Sequence, residues 1–467
     1  MMNKKNEIAG CKRPAVFMRK YITLFLIIAL ISLTMAGCGK TPESAASSDG
    51  QTQSTVQASE EATTAEDQTT DAESSQEEAE AAGQNEGAAE SSEEEPAEEV
   101  ELFGYGLFGG NPYEGSGLAE ITPEQEAAIR AMIAEMSIEE KVGQMFLARF
   151  PGAKEDGPES SAAAEEDVRT YHLGGFVLFR PDFKVDSETV IIEKLDAVQA
   201  ASSIPLLLSV DEEGGDVVRV STYFRDLAFL VPRNAYDWFG SETVISEIYE
   251  RCELLSGLHL NMNLYPVCDL SSDVSDFIYY RSFSGDPDTA ADYIAKVVSS
   301  MKEYHMACSL KHFPGYGNNK DTHTDLVVDE RPAETFYEAD FKPFMAGIAQ
   351  GAETVMVSHN IVNCFDPDNP ASISPEVHRI LREELGFEGV ILTDDLGMEG
   401  VKKYSDEDVA VMAVLAGNDM LISSDYKLQY EAVLAAVQDG RISEERLDES
   451  VYRILRMKVS MGILVVE

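Results

Sequence analysis

Two stretches of the chain bring together side chains equipped for acid–base and nucleophilic chemistry. The first is Lys311-His312-Phe313-Pro314-Gly315-Tyr316-Gly317, which leads into a polar loop ending Asp321-Thr322-His323-Thr324-Asp325. In an extended or turning loop, a carboxylate two residues before a histidine can accept the imidazole N–H. That bond fixes the tautomer and raises the basicity, so the histidine can donate a proton near neutrality. The second stretch is Gly389-Val-Ile-Leu-Thr-Asp394-Asp395-Leu-Gly-Met398. A carboxylate ending a buried strand is placed to attack a sugar carbon and form a covalent intermediate, or to act as a general base. Side chains alternate along a strand, so only one of two adjacent carboxylates faces a given side. Each feature alone has an ordinary explanation: solvated loop residues for the Asp-X-His, a helix cap or metal ligand for the Asp pair.

The elements that must position these residues recur with a regular beat. Eight short apolar runs occur: Gln144–Phe150, Gly174–Phe179, Pro205–Asp211, Met262–Asp269, Ala307–Phe313, Thr354–His359, Gly389–Asp395 and Asp419–Ser423. Each reads apolar on both faces, as buried parallel strands do, and enough chain for a helix separates it from the next. Capping boxes mark helix starts at Thr122–Gln125 and Ser137–Glu140. Helical spacing covers 334–350, 378–385, 406–415 and 444–457. This pattern predicts an α/β fold, a (β/α)₈ TIM-type barrel, with an open doubly wound sheet as the alternative. Asp211, Asp269, His312, His359 and Asp394 fall at or near the ends of five different runs. In a barrel those ends form one mouth, where active sites are built. His359 and Met356 are expected to shape the pocket floor, and His172, His259, His305 and His378 to be structural.

The N-terminal quarter reads differently. Residues 1–40 carry a net charge of +6, and residues 41–100 carry 18 acids and no base, within a chain whose net charge is −48. So acidic a chain excludes nucleic-acid binding through its overall field. Basic residues through Lys20, an apolar run from Tyr21 to Gly37 and then Cys38 resemble a bacterial lipoprotein signal, in which cleavage leaves the cysteine thiol to carry lipid, with an uncleaved anchor helix or an ordinary secretion signal as the alternative. Residue Met35 stands where Leu is commoner in such signals. The expected organisation is a signal peptide over 1–37, a lipidated Cys38 with a disordered acidic linker over 38–120, and the barrel over 121–467. Ser, Thr, Ala, Gln and Glu in the linker cannot bury enough apolar surface to offset a backbone ordering cost of about 1–2 kcal/mol per residue. The protein is thus expected outside the cell, anchored to the outer face of the membrane through its lipid. Cys252, Cys268, Cys308 and Cys364 lack zinc-site spacing and are expected to be buried free thiols.

Eight ordered matches resemble glycoside hydrolase family 3, in its β-N-acetylhexosaminidase branch. They are Asp211-Glu-Glu-Gly214-Gly215-Asp-Val-Val-Arg219, Pro266-Val-Cys-Asp269, Arg281-Ser-Phe, Lys311-His-Phe-Pro-Gly315, Asp321-Thr-His323, Met356-Val-Ser-His359, Thr393-Asp394-Asp395-Leu396 and Ala416-Gly-Asn-Asp-Met420. The resemblance runs from about Ser137 to the C-terminus. It implies removal of terminal β-linked N-acetylglucosamine, from peptidoglycan fragments or related amino-sugar glycosides, with retention of configuration. By it, Asp394 is the nucleophile and His323 the acid/base, partnered by Asp321. Asp211, Arg219, Arg281, Lys311 and His312 bind the sugar hydroxyls. No cofactor or metal is implied, the partner is a carbohydrate substrate, and a monomer is expected. The family's β-glucosidase branch draws its acid from a second domain, for which the chain to Glu467 leaves no room, so the loop dyad is expected to supply it; Glu212 is the next carboxylate to test. Three positions depart from the branch: Glu212 replaces Gln, Asp216 replaces Arg, and Tyr316 replaces the second His of the Lys311 segment. Two other readings keep the same barrel: a noncatalytic sugar-binding lipoprotein, and a family member that acts on another sugar or transfers to phosphate.

Overall fold

The computed structural model describes residues 108, 111–151, 160–322, 327–404 and 406–466. The expected signal peptide, Cys38, nearly all of the expected linker, and His323 lie outside the described residues. All described residues belong to one compact unit, 97–467.

All eight apolar runs contribute strands: β1 Phe146–Arg149, β2 Gly175–Leu178, β3 Leu207–Val210, β4 Met262–Asn263, β5 Ala307–Phe313, β6 Thr354–Val357, β7 Val390–Thr393 and β8 Leu421–Ser423. They pair in parallel in the order β8-β1-β2-β3-β4-β5-β6-β7. A parallel bridge between Leu392 and Met420 links β7 to β8 and brings the sheet round into a barrel. Every strand residue except Arg149 is buried. That explains the near-continuous apolar runs, since one face fills the barrel and the other meets helices. The intervening helices include Ala162–Tyr171, Glu188–Ala200, Ser241–Gly257, Pro287–Glu303, Phe341–Ala349 and Asp406–Ala416. Tyr426–Gln438 and Glu444–Ser460 follow the last strand. Both predicted capping boxes are formed, at Thr122 and at Ser137.

Three local departures bear on the site. The run Met262–Asp269 is a regular strand only over its first two residues. Past Pro266, which has no N–H to give, the chain rejoins β5 through one parallel bridge, Val267 with Lys311, in which the Lys311 N–H donates to Pro266 O at 3.1 Å and the Cys268 N–H donates to Lys311 O at 2.6 Å. Strand β5 shifts register between Leu310 and Phe313. A small parallel ribbon, Val328–Asp329 with Ile361–Val362, closes the loop that follows β5.

Residues before 121, assigned to the linker, pack on the barrel where they are described. The Phe108 N–H donates to Asp292 Oδ2 at 2.8 Å, and its ring lies against Tyr236, Phe283 and Tyr293. The Gly117 N–H donates to Ala349 O at 2.9 Å. Cys252, Cys268 and Cys308 are buried free thiols as expected, whereas Cys364 is exposed. Cys364 follows the small parallel ribbon rather than a barrel strand.

Candidate active site

The C-terminal ends of the strands surround a cavity of about 690 Å³. Asp211, Arg219, Arg281, Lys311, His312, Asp321 and Asp394 all line it, so every described residue singled out as catalytic or sugar-binding reaches one space. A larger groove of about 1,030 Å³ lies between helices Pro123–Glu135 and Glu444–Ser460 and contains none of them. Its size carries no functional weight beside the chemistry gathered in the smaller one.

Two cations and two carboxylates form the inner wall. Lys311 Nζ lies 2.7 Å from Asp211 Oδ1 and 2.6 Å from Glu213 Oε1. Arg281 donates to both Glu213 oxygens, from Nε at 2.9 Å and from Nη2 at 2.8 Å. Burial by itself would raise the Glu213 carboxyl, but the Arg281 and Lys311 charges overturn that and hold it well below the usual carboxylate range. Burial opposes the Lys311 ammonium too, and Asp211 and Glu213 lift it above its ordinary value. Arg219 stands farther out, 4.0 Å from Asp211 Oδ2. Glu213 was not singled out as a site residue. A run of acids at a strand end before a Gly-Gly turn was the available signal, but nothing in the spacing says which Glu faces inward.

Glu212 faces the other way. It is fully buried and accepts from the N–H groups of Arg219 at 2.7 Å, Val220 at 2.7 Å and Ser221 at 3.2 Å, and from Ser221 Oγ at 2.5 Å. Both oxygens are committed to holding the Arg219 loop, so Glu212 is corrected from fallback acid to loop anchor. Gly214 follows them in the turn: its φ is +110°, and an added Cβ would sit 2.1 Å from Leu230 O, so only glycine fits there.

His312 is oriented from beneath. Its Nδ1 lies 2.7 Å from Asp269 Oδ2, and Arg281 Nη2 approaches its Nε2 at 3.2 Å. A guanidinium can only donate, so Nε2 accepts and the proton resides on Nδ1, toward Asp269. Regular alternation would turn either Lys311 or His312 away from the cavity. The register shift in β5 lets both side chains reach it.

Tyr316 links this wall to the dyad loop. Its N–H donates to Asp269 Oδ1 at 2.8 Å, and its ring meets the His312 ring edge-on at 5.2 Å. Its hydroxyl bonds Thr322 Oγ1, and Thr322 O accepts from the Gly400 N–H at 3.1 Å. Thr322 is fully buried and sits between Asp321, which faces the cavity, and His323. Burial, then the Asp394 charge, pushes the Tyr316 phenol up, so it stays protonated. Arg331 ties Gly315 to the helical segment Phe336–Asp340, donating to Gly315 O at 3.1 Å and to both Asp340 oxygens at 3.0 Å.

The adjacent carboxylates at the end of β7 have divided their work. Asp395 Oδ1 accepts from the Gly397 N–H at 2.9 Å and the Ser424 N–H at 3.0 Å, while its Oδ2 accepts from Ser424 Oγ. It is a turn anchor. Asp394 Oδ1 accepts from the Asp395 N–H at 2.8 Å, and the Asp394 N–H donates to Val357 O at 3.0 Å. His359, fully buried, donates from Nε2 to Asp395 O at 3.0 Å and lies 2.7 Å from Ser372 Oγ through Nδ1. It shapes the turn beneath the carboxylates, and Met356 lines the cavity.

A parallel barrel with paired charges at its inner wall and a carboxylate at a strand end defines an enzyme site suited to a polyhydroxylated substrate. The chain belongs to glycosyl hydrolase family 3: residues 137–457 match the family description "Glycosyl hydrolase family 3 N terminal domain". It is 34% identical over 300 residues to a beta-hexosaminidase of Xanthomonas oryzae, a match covering 62% of this chain and 88% of that one. Among solved structures it is similar to a family 3 beta-N-acetylglucosaminidase of a Paenibacillus species, at 30% identity and a TM-score of 0.63 over 71% of this chain. The match spans 64% of that Paenibacillus chain. A beta-N-acetylhexosaminidase of Beutenbergia cavernae matches at 27% identity and a TM-score of 0.60, over 70% of this chain and 99% of that one.

Proposed function

We propose that this protein is a retaining exo-β-N-acetylhexosaminidase, exported and held to the membrane by lipid on Cys38. The observation that carries the reading is the convergence of Asp394, Asp321 and the Asp211–Lys311–Glu213–Arg281 cluster on one cavity of a family 3 barrel. A sugar in this cavity meets acceptors at Asp211 and donors at Lys311, Arg219 and Arg281, a set matched to vicinal hydroxyls. Asp394 attacks the anomeric carbon as the glycosidic C–O bond breaks, and His323 delivers a proton to the departing oxygen. Water then displaces Asp394, giving its proton back to His323, and two inversions amount to retention. Asp321 orients the imidazole and favours its charged form. The substrates are terminal β-linked N-acetylglucosamine units on peptidoglycan fragments or related glycosides.

The test is hydrolysis of chromogenic β-N-acetylglucosaminide, β-glucoside and β-xyloside side by side, with and without phosphate. Preference for the amino sugar and indifference to phosphate support the reading. Preference for glucoside, or release of a sugar phosphate, contradicts it. Anchoring is tested by Cys38→Ser, which should move the protein from the membrane fraction to the soluble fraction; retention there contradicts the lipid assignment.

A further inference from the structure

The loop after β4, between Asp269 and Pro287, carries large aromatic side chains out to the mouth of the cavity. Phe277 is 37% exposed and Tyr280 is 50% exposed, and both line the cavity beside Arg281. Aromatic rings left this open forgo burial that would stabilise the fold, so their exposure at a site mouth calls for a partner face.

These rings are not on a loose loop. Ile278, between them, is fully buried in a cluster with Val267 and Tyr316. Phe277 packs 5.9 Å from the Tyr316 ring, and the Tyr280 ring is braced edge-on by Tyr279 at 5.1 Å. Tyr279 in turn lies under the Arg233 guanidinium at 4.0 Å, and Arg233 donates to Ser271 O at 2.6 Å and to Ser282 O at 3.1 Å. The loop is thus clamped at both ends and plugged in the middle, with two rings held ready. A prearranged surface loses little conformational freedom when it binds.

We infer that Phe277 and Tyr280 form an aglycone subsite that stacks the next sugar of a β-linked N-acetylhexosamine chain. The inference rests on the proposed hexosaminidase reading. Continuity identifies the occupant: the rings join the same cavity as the sugar-binding cluster, so what lies against them is the remainder of the molecule whose terminal sugar is inside. A cavity of about 690 Å³ falls within the range of about 300–1,000 Å³ that holds drug-sized ligands and has room for more than one sugar ring. Pyranose rings present C–H faces, which suit an aromatic platform, while their hydroxyl edges stay in water or meet the Tyr280 hydroxyl.

The experiment compares N-acetyl-β-glucosaminyl fluoride, whose leaving group is too small to reach the rings, with N-acetylglucosamine trimer. For Tyr280→Ala, the ratio of kcat/KM for trimer to that for fluoride should fall about tenfold, the equivalent of about 1.4 kcal/mol of binding. The fall should appear mainly in KM, and Tyr280→Phe should restore the ratio because it keeps the ring. Phe277→Ala should shift the ratio in the same direction. An unchanged ratio, with both substrates slowed alike or neither affected, overturns the subsite and assigns the rings a purely structural role. If wild-type enzyme cleaves neither substrate, the hexosaminidase reading fails first and the subsite with it.

Discussion

Replacing Glu213 by Gln should cost the protein stability at neutral pH in a way that acid erases. Glu213 is 2% exposed and takes three charged contacts, from Lys311 at 2.6 Å and from Arg281 at 2.8 and 2.9 Å. An amide in its place keeps the shape but sets an N–H₂ against at least one donor, and leaves Lys311 with Asp211 while Arg281 keeps only the more distant charges of Asp269 and Asp211. Breaking a buried ion pair by removing one partner costs about 3–5 kcal/mol. Because Asp211 still neutralises Lys311, we expect the lower end, about 3 kcal/mol. The Arg281 and Lys311 charges hold the folded-state carboxyl well below its unfolded value despite burial. Its contribution is therefore fully present above the ordinary glutamate range and is lost as pH falls toward the folded value. Urea unfolding of both proteins from pH 7 down to pH 3 should show a constant gap to about pH 5 and a narrowing gap below it. A gap under about 1 kcal/mol at pH 7, or one that does not narrow in acid, would refute the reasoning. Catalytic efficiency should fall as well, because Lys311 and Arg281 lose the group that aims them.

Three further outcomes are expected. His323→Ala should slow substrates with poor leaving groups by about 10²–10⁴-fold and those with acidic leaving groups far less, and Asp321→Asn should follow it; equal slowing across a leaving-group series would remove the dyad from proton transfer. Tyr316→Phe removes the hydroxyl that bonds Thr322 and should lower kcat with little change in KM, steepening the leaving-group dependence as the dyad loosens; an unchanged series would show that the loop is held without it. Burial holds the Lys458 ammonium down at about 7, with Gln144 Oε1 and Gly174 O accepting its hydrogens at 2.8 and 3.0 Å. Between pH 7 and 10 the unfolded lysine keeps a proton that the folded one has released, so wild-type stability should rise relative to Lys458→Met by up to roughly 4 kcal/mol. Parallel stability curves would contradict that.

Strand-end polarity makes much of the barrel legible in the sequence. Buried parallel strands need apolar residues on both faces, so Asp211, His312 and Asp394 stood out as the places where each run stopped being core. What the pattern concealed was direction. Glu212 and Glu213 are adjacent and chemically alike, yet one anchors the Arg219 loop and the other anchors two cations; alternation puts them on opposite sides without saying which faces the cavity. Lys311 and His312 both reach the cavity because β5 slips register between Leu310 and Phe313, and a period of two has no place for that slip. The run from Met262 to Asp269 reads as one long strand because apolar content does not record hydrogen bonding: the Tyr265 N–H turns back to Asn263 O at 2.8 Å, and pairing resumes only at a bridge between Val267 and Lys311. Phe108 shows the same limit in reverse: its neighbours gave no periodic signal, but one ring against three others fixes it to the barrel.

If Asp394 is the nucleophile, it becomes covalently glycosylated during turnover. The most direct measurement uses His323→Ala with a dinitrophenyl N-acetyl-β-glucosaminide, whose leaving group needs no proton while the missing base slows the water step. Intact-protein mass spectrometry should then show one added N-acetylhexosaminyl group, and peptide mapping should find it on Asp394. Continued product release with no adduct, or an adduct on any other residue, would contradict the account.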